Sequence, residues 1–216
     1  MGLLDGLREV LGIRAEADAT RKADPEDLFG MSTAYITMEA ELGYEAVGEA
    51  ALCFSEVDST DFAETVDEVH EILELGAEET GTEVEGHTDD YGYSWVVFRD
   101  DDFEDLVTSL HFASDTLIER GYGSRLLAGL FGFERSEASQ TQRTGGGGTA
   151  DGTKAYWVYS FRRGAFYPLV PKGTNDRDSS AEFKLESNLD GELEIEENKE
   201  YWYALLPSTP GRHPWE

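Results

Sequence analysis

The sequence has few basic residues. Only 17 of its 216 residues are lysine or arginine, against 46 aspartates and glutamates. Nucleic-acid backbones are bound by clustered lysine and arginine. No basic stripe occurs here, and the run Arg162–Arg163 is only a pair. We therefore expect no nucleic-acid partner.

Residues that carry catalysis or hold metals are equally scarce. Cys53 is the one cysteine, so no disulfide can form within the chain. It lies in an apolar run, which favours a buried, unreactive thiol over a nucleophile. The four histidines form no H-E-x-x-H motif, and no phosphate-binding loop or nucleophile elbow occurs. The residues thus predict no metal, no cofactor and no recognisable catalytic site.

Long hydrophobic runs are missing too. No run reaches the roughly 18 apolar residues of a membrane span. The first residues lack the basic stretch and long apolar core of a secretory signal. These features predict a cytoplasmic protein and leave peripheral contact with the inner face of the membrane open.

What the sequence has in excess is negative charge. The formal net charge is −29, and the acids are spread along the whole chain, with only five lysines among the cations. Such a charge repels itself in ordinary cytoplasm, whereas at molar salt the Debye length falls to about 3 Å and the repulsion is screened. This pattern favours a protein from a halophile over an ordinary acidic protein.

The N-terminal residues 1–24 differ from the remainder. Residues 2–13 predict a short amphipathic helix, followed by a polar tether over 14–24. One apolar face of this helix must be buried on the protein's own core, on a partner helix or on a membrane. We predict partner binding through the residues of that face, which are Leu3, Leu4, Leu7, Val10 and Leu11.

Residues 25–216 predict a single α+β domain. After a short helix over 25–30, the pattern is a largely antiparallel sheet of repeated strand–strand–helix units with helices on one face. The predicted strands cover 31–42, 46–57, 82–87, 91–99, 124–134, 154–162 and 201–206. The predicted helices cover 60–80, 102–120 and 178–190, and a glycine-rich loop, expected to be flexible, covers 136–152.

Aromatic residues and arginines are concentrated in the run 156–167. These residue types are common at interface hot spots, and the alternative is a central strand with aromatics packed on both faces. Trp215, near the end of the chain, needs a pocket in its own domain or on a partner. The candidate partner-binding residues here are Trp157, Tyr159, Arg162, Arg163, Tyr167 and Trp215.

An enzyme with an unrecognised site near 156–167 is the alternative function. A deep pocket converging on Arg162 and Arg163 would favour the enzyme. A flat aromatic patch beside a loosely tethered N-terminal helix would favour an adaptor.

Several segments together resemble a known family. They are the opening MGLLDGL, the segment DLFGMSTAY at 27–35, RGYGS at 120–124, FGF at 131–133 and AYWVYSFRRGAFYPL at 155–169. With them the chain resembles the PspA-associated PspAB proteins of haloarchaea and some bacteria. The resemblance covers most of the chain apart from the glycine-rich loop.

The resemblance implies partners but no chemistry. It implies a link to PspA, a membrane-associated coiled-coil protein of the envelope-stress response, and to HtpX-like membrane proteases. It brings no catalytic residue with it. We therefore expect a non-enzymatic accessory or adaptor protein of the membrane-stress response.

Overall fold

The computed structural model describes residues 21–55, 81–89, 92–136 and 154–216, and residues 64, 67–69 and 71–72 between them. The predicted helix over 2–13 lies outside the described residues, as does the predicted loop over 136–152 apart from Ser136. Within the predicted helix over 60–80, the described residues are helical, and Val69 is buried in the core.

In the described residues, helices and strands are interspersed along the chain, and the main sheet is antiparallel. The α-helices are α1 (Met31–Ala40), α2 (Phe103–Glu119) and α3 (Ser179–Leu189). The strands are β1 (Tyr44–Ser55), β2 (Glu83–Thr88), β3 (Tyr93–Arg99), β4 (Leu126–Arg135), β5 (Lys154–Ser160), β6 (Ala165–Leu169), β7 (Pro171–Lys172) and β8 (Asp176–Arg177). Short 3-10 helices cover Pro25–Gly30, Gly123–Arg125 and Lys199–Tyr201.

Strands β1 to β6 form one antiparallel sheet in the order β2-β3-β1-β4-β5-β6. The buried apolar residues of α1, α2 and α3 all pack in a core cluster on one face of this sheet. That cluster takes alternate strand residues such as Leu52, Phe98 and Trp157, as the period-two pleat requires. The predicted α+β class with an antiparallel sheet is confirmed.

The predicted helix over 102–120 is confirmed as α2. Asp102 caps its N-terminus, where the carboxylate accepts a hydrogen bond from the Glu104 N–H at 2.9 Å. A stripe of apolar side chains at helical spacing faces the sheet, including Leu106, Leu110 and Leu117. Gly121 follows the helix with a φ of +87°, which suits a helix C-terminus.

The predicted strand over 31–42 is wrong, because these residues form α1. Its fully buried residues are Met31, Ala34 and Met38, and their spacings of three and four are those of one helical face. Tyr35 and Ile36 favour a strand by local propensity, yet Ile36 is 54% exposed. Packing on the core therefore outweighed the local preference.

The predicted strand over 201–206 is wrong as well. The backbone there makes short local hydrogen bonds, such as Tyr203 N–H to the Tyr201 carbonyl at 3.1 Å. The exposed edge of β6 is covered instead by a bridge from Phe166 to Ile195. Side chains of the C-terminal segment, Trp202 and Trp215 above all, cover the second face of the sheet.

Candidate functional site

The aromatic run lies on β5 and on β6, which is an edge strand of the sheet. Its residues face both sides alternately: Trp157 and Tyr159 lie on the helical face, and Tyr156 and Tyr167 on the other. All four side chains are almost fully buried. The run therefore packs its aromatic side chains on both faces of the sheet, as in the alternative considered above, although β5 and β6 lie at one edge of the sheet and not at its centre. These four rings form no flat exposed patch.

Arg163 is buried beside the sheet. Its Nε donates to Glu196 Oε2 at 2.6 Å, and its guanidinium lies 4.1 Å from the centre of the Tyr201 ring. Both members of the ion pair are less than one-tenth exposed. In this structure Arg163 joins the C-terminal segment to the β5–β6 turn.

Trp215 is buried against other residues of the same chain. It is 1% exposed and stacks on the His213 ring, with Tyr156 edge-on at 5.7 Å between ring centres. Its indole N–H donates to Glu49 Oε2 at 3.1 Å. The burial of this residue closes the second face of the sheet.

Arg162, next to the buried Arg163, lines a cleft of about 770 Å³. Its Nη2 donates to the Ser124 carbonyl at 2.9 Å. Two further cations, Arg21 and Lys22, also line the cleft, together with apolar surface from Pro25, Ile118 and Phe161. We call this feature the basic cleft.

The wall that carries Arg21 is fixed to the sheet by hydrogen bonds. Arg21 Nη2 donates to both carboxylate oxygens of Asp27 at 2.8 Å, and Tyr159 donates to Asp27 Oδ2 at 2.8 Å. The bond to Asp27 raises the pKa of Arg21. Burial, and then the same carboxylate, raise the pKa of Tyr159. Both groups therefore keep their protons, and this wall of the cleft is pre-organised.

A close backbone contact brings the start of the described chain to this place. Gly164, in the β5–β6 turn, has a φ of +63°, and a Cβ there would lie 3.0 Å from both Ala23 N and Lys22 O. Residues 21–24, which the sequence assigns to the tether, thus pass directly over the turn. The structure brings the base of the N-terminal segment together with Arg162.

The chemistry that the basic cleft offers is binding of negative charge. Within the described part of the chain, three cationic side chains and one anionic side chain, Asp24, line it. Asp24 is engaged as the cap of the first 3-10 helix, where it accepts from the Glu26 N–H at 3.1 Å. Among the described lining residues, no hydrogen bond joins Ser124 to a base that would activate its hydroxyl. The part of the chain that the structure describes contains no group of three His, Cys, Asp or Glu side chains placed to hold a metal ion.

Cys53 is buried, as predicted, in the second face of the sheet. Burial raises the pKa of its thiol well above the ordinary value. A protonated, enclosed thiol is a poor nucleophile.

Sequence reasoning missed Arg21 and Lys22 as site residues. The signal was present, because Arg21–Lys22 is as dense a basic pair as Arg162–Arg163 in a chain with so few cations. The assignment of 14–24 to a tether concealed it. The predicted face of Leu3, Leu4, Leu7, Val10 and Leu11 lies outside the described residues.

The fold defines a class: an α+β protein with an antiparallel sheet that packs helices on one face, here with a cleft lined by Arg21, Lys22 and Arg162. Within that class the chain belongs to the PspAB family, described as PspA associated protein B, whose model matches residues 1–215. Neither the curated proteins nor the solved structures contain a match to it. In the described residues, no helix combines the length and the apolar character needed to cross a membrane.

Proposed function

We propose that this protein is a non-enzymatic accessory of the membrane-stress response that binds PspA. The observation that carries the proposal is the family match over residues 1–215, since the family is described by its association with PspA. The basic cleft supports a binding role, because it offers cations and apolar surface without an activated nucleophile among the described lining residues.

The docking element in this proposal is the predicted helix over 2–13. Full burial of each of its five apolar side chains contributes about 1.5–3 kcal/mol, which makes a permanently solvated face unfavourable. Arg8 is its only basic residue, whereas helices that bind bare membranes are rich in lysine and arginine. A coiled-coil partner such as PspA offers an apolar seam instead.

The length of the chain limits how far that contact can lie from the basic cleft. Seven residues, 14–20, separate the predicted helix from Arg21 on the rim of the cleft. A fully extended segment of that length spans at most about 25 Å. A partner bound to the helix would therefore lie within about 25 Å of Arg21, and an HtpX-like protease or the membrane surface could be reached through the same partner.

Co-purification from lysate prepared in multimolar KCl tests the proposal. The full-length protein should retain PspA, and deletion of residues 1–13 should abolish both this retention and recovery in the membrane fraction. Leu4→Ser/Leu11→Ser, on the apolar face, should reproduce the loss, whereas the matched polar-face control Asp5→Ser/Glu9→Ser should not. Retention of an HtpX-like protease without PspA, or no difference between the two variants, would contradict the proposal.

A further inference from the structure

The basic cleft is unusual for this molecule because of its charge. Acidic residues outnumber basic ones by 46 to 17 in the chain, yet among the described residues that line the cleft three of the four ionisable side chains are cationic. A surface of net charge −29 repels anions at long range. Cations gathered in one concave place therefore mark a local exception to the field of the molecule.

Two acids beside the cleft are held by other groups, and a third, Glu194, lies 3.9 Å from Arg21 Nη1. Asp27 accepts two hydrogen bonds from Arg21 and one from Tyr159. Asp24 caps a 3-10 helix. Lys22 is exposed and has no ion-pair partner among the described residues, so its ammonium is available to a ligand.

The geometry selects a class of anion. Arg162 is half-buried and is held by its bond to Ser124, 2.9 Å away, so its planar fork is oriented at the wall of the cleft. A phosphate carries up to two charges and presents several acceptor oxygens, and it gains more than a carboxylate does from a guanidinium and an ammonium together.

The other lining residues indicate that the ligand has an apolar part in addition to the phosphate. Ile118 and Phe161 provide apolar surface, and the volume of about 770 Å³ exceeds what a bare phosphate needs. Pockets for small molecules combine such apolar walls with a few polar groups. The lining thus fits a phosphate joined to a carbon skeleton.

We propose that the basic cleft binds a phosphate-bearing ligand, with Lys22 and Arg162 as the residues that contact the phosphate. Arg21, neutralised by Asp27, is a positioning residue that fixes the wall. The phosphate could belong to a small metabolite or to the head group of a lipid, since both present the same chemistry. This inference goes beyond the proposed function and does not depend on PspA binding.

Titration of the full-length protein with glycerol phosphate, followed by phosphorus NMR in multimolar KCl, tests the inference. Glycerol alone is the probe without phosphate. The variant Lys22→Gln/Arg162→Gln should weaken binding at least about fivefold, because it removes charged hydrogen bonds to the phosphate. The control Lys172→Gln/Lys184→Gln also removes two positive charges, from exposed positions that do not line the cleft. It should change binding less than about twofold.

Vesicles distinguish the two sources of phosphate. Sedimentation with phosphatidylglycerol vesicles that Lys22→Gln/Arg162→Gln abolishes would assign a lipid head group, and binding of glycerol phosphate without sedimentation would assign a small metabolite. Absence of both, or equal weakening by the control variant, would overturn the inference. If the double variant fails to fold, Lys22→Gln alone keeps the test, since that side chain is exposed.

Discussion

Basic side chains hold the C-terminal segment to the rest of the molecule. Arg163 binds Glu196, and Arg177 donates to the Trp202 carbonyl at 2.6 Å and to the Pro168 carbonyl at 2.9 Å. A chain with 17 cations uses these two in buried or half-buried bonds. At the residue scale, two of the few basic residues therefore stabilise the fold.

Replacement of Arg163 should show this role. Arg163→Ala leaves Glu196 buried without its partner, and we expect a loss of about 3–5 kcal/mol in the free energy of unfolding. The control Arg212→Ala breaks the exposed pair with Glu216 and should cost at most about 1 kcal/mol. Chemical denaturation in high salt measures both. A similar small effect for both variants would show that the buried pair does not stabilise the fold.

His213 connects the C-terminal segment to β5. The Lys154 ammonium can only donate, so His213 Nε2, 2.6 Å away, accepts, and Nδ1 carries the proton towards Tyr156 Oη at 3.1 Å. Burial, and then the neighbouring Lys154, lower the pKa of His213 below 6.5. The carboxylates of Glu49, Glu216 and Glu134 oppose this shift without reversing it.

The lowered pKa predicts a pH dependence. The unfolded chain binds the proton of His213 more readily than the folded chain does, so the free energy of unfolding should fall as the pH drops below 6.5. His213→Gln removes this contribution. When the pH is lowered from about 7.5 to about 5.5, the free energy of unfolding of the variant should therefore fall less than that of the parent protein. Denaturation curves at both pH values measure the difference. Parallel losses in the two proteins would contradict the lowered pKa.

At the scale of elements, prediction from the sequence worked where local signals agreed with packing. Helix α2 has a cap at Asp102, an apolar stripe and Gly121 at its end, and all were visible in the sequence. The predictions of strands over 31–42 and 201–206 were wrong because the aromatic and β-branched residues in these segments favour strands locally. Their conformation depends on contacts with distant residues, such as the hydrogen bond from Trp157 to Met38, and these contacts leave no local pattern.

The contact of residues 21–24 with the β5–β6 turn predicts that the stability of the protein is sensitive to substitution of Gly164. A methyl group at Gly164 would meet the backbone of Lys22 and Ala23 at about 3.0 Å, in a left-handed conformation. Gly173 has a similar φ of +69°, but nothing lies within 4 Å of its Cβ position. Gly164→Ala should therefore destabilise the protein more than Gly173→Ala, by about 1–3 kcal/mol, because overpacking adds to the backbone strain. Thermal melts of both variants provide the comparison, and equal losses would show that the contact is not tight.

For the whole molecule, the sequence predicted the α+β class and the family, but only part of the candidate site. Arg162 was recognised, whereas Arg21 and Lys22 lie 140 or more residues away in sequence. The close approach of Gly164 to Ala23 that joins them is a tertiary contact. The sequence also could not separate the half-buried Arg162 from the buried Arg163, because burial depends on which element covers each side chain.

The net charge of −29 gives a prediction for the molecule as a whole. Removal of salt lengthens the Debye length from about 3 Å at 1 M to about 10 Å at 0.1 M, so the dispersed carboxylates repel one another. The melting temperature should therefore decrease steadily from multimolar KCl to about 0.1 M KCl. A constant melting temperature over that range would remove the argument for a halophilic protein.

The central claim is a direct contact with PspA through the N-terminal segment, and binding of the two purified proteins tests it most directly. Light scattering or calorimetry in multimolar KCl should show saturable binding of PspA to the full-length protein. Deletion of residues 1–13 should abolish it while the melting temperature stays nearly unchanged. If the deletion lowers the melting temperature sharply and PspA still binds, the helix belongs to the protein's own core and the claim is wrong.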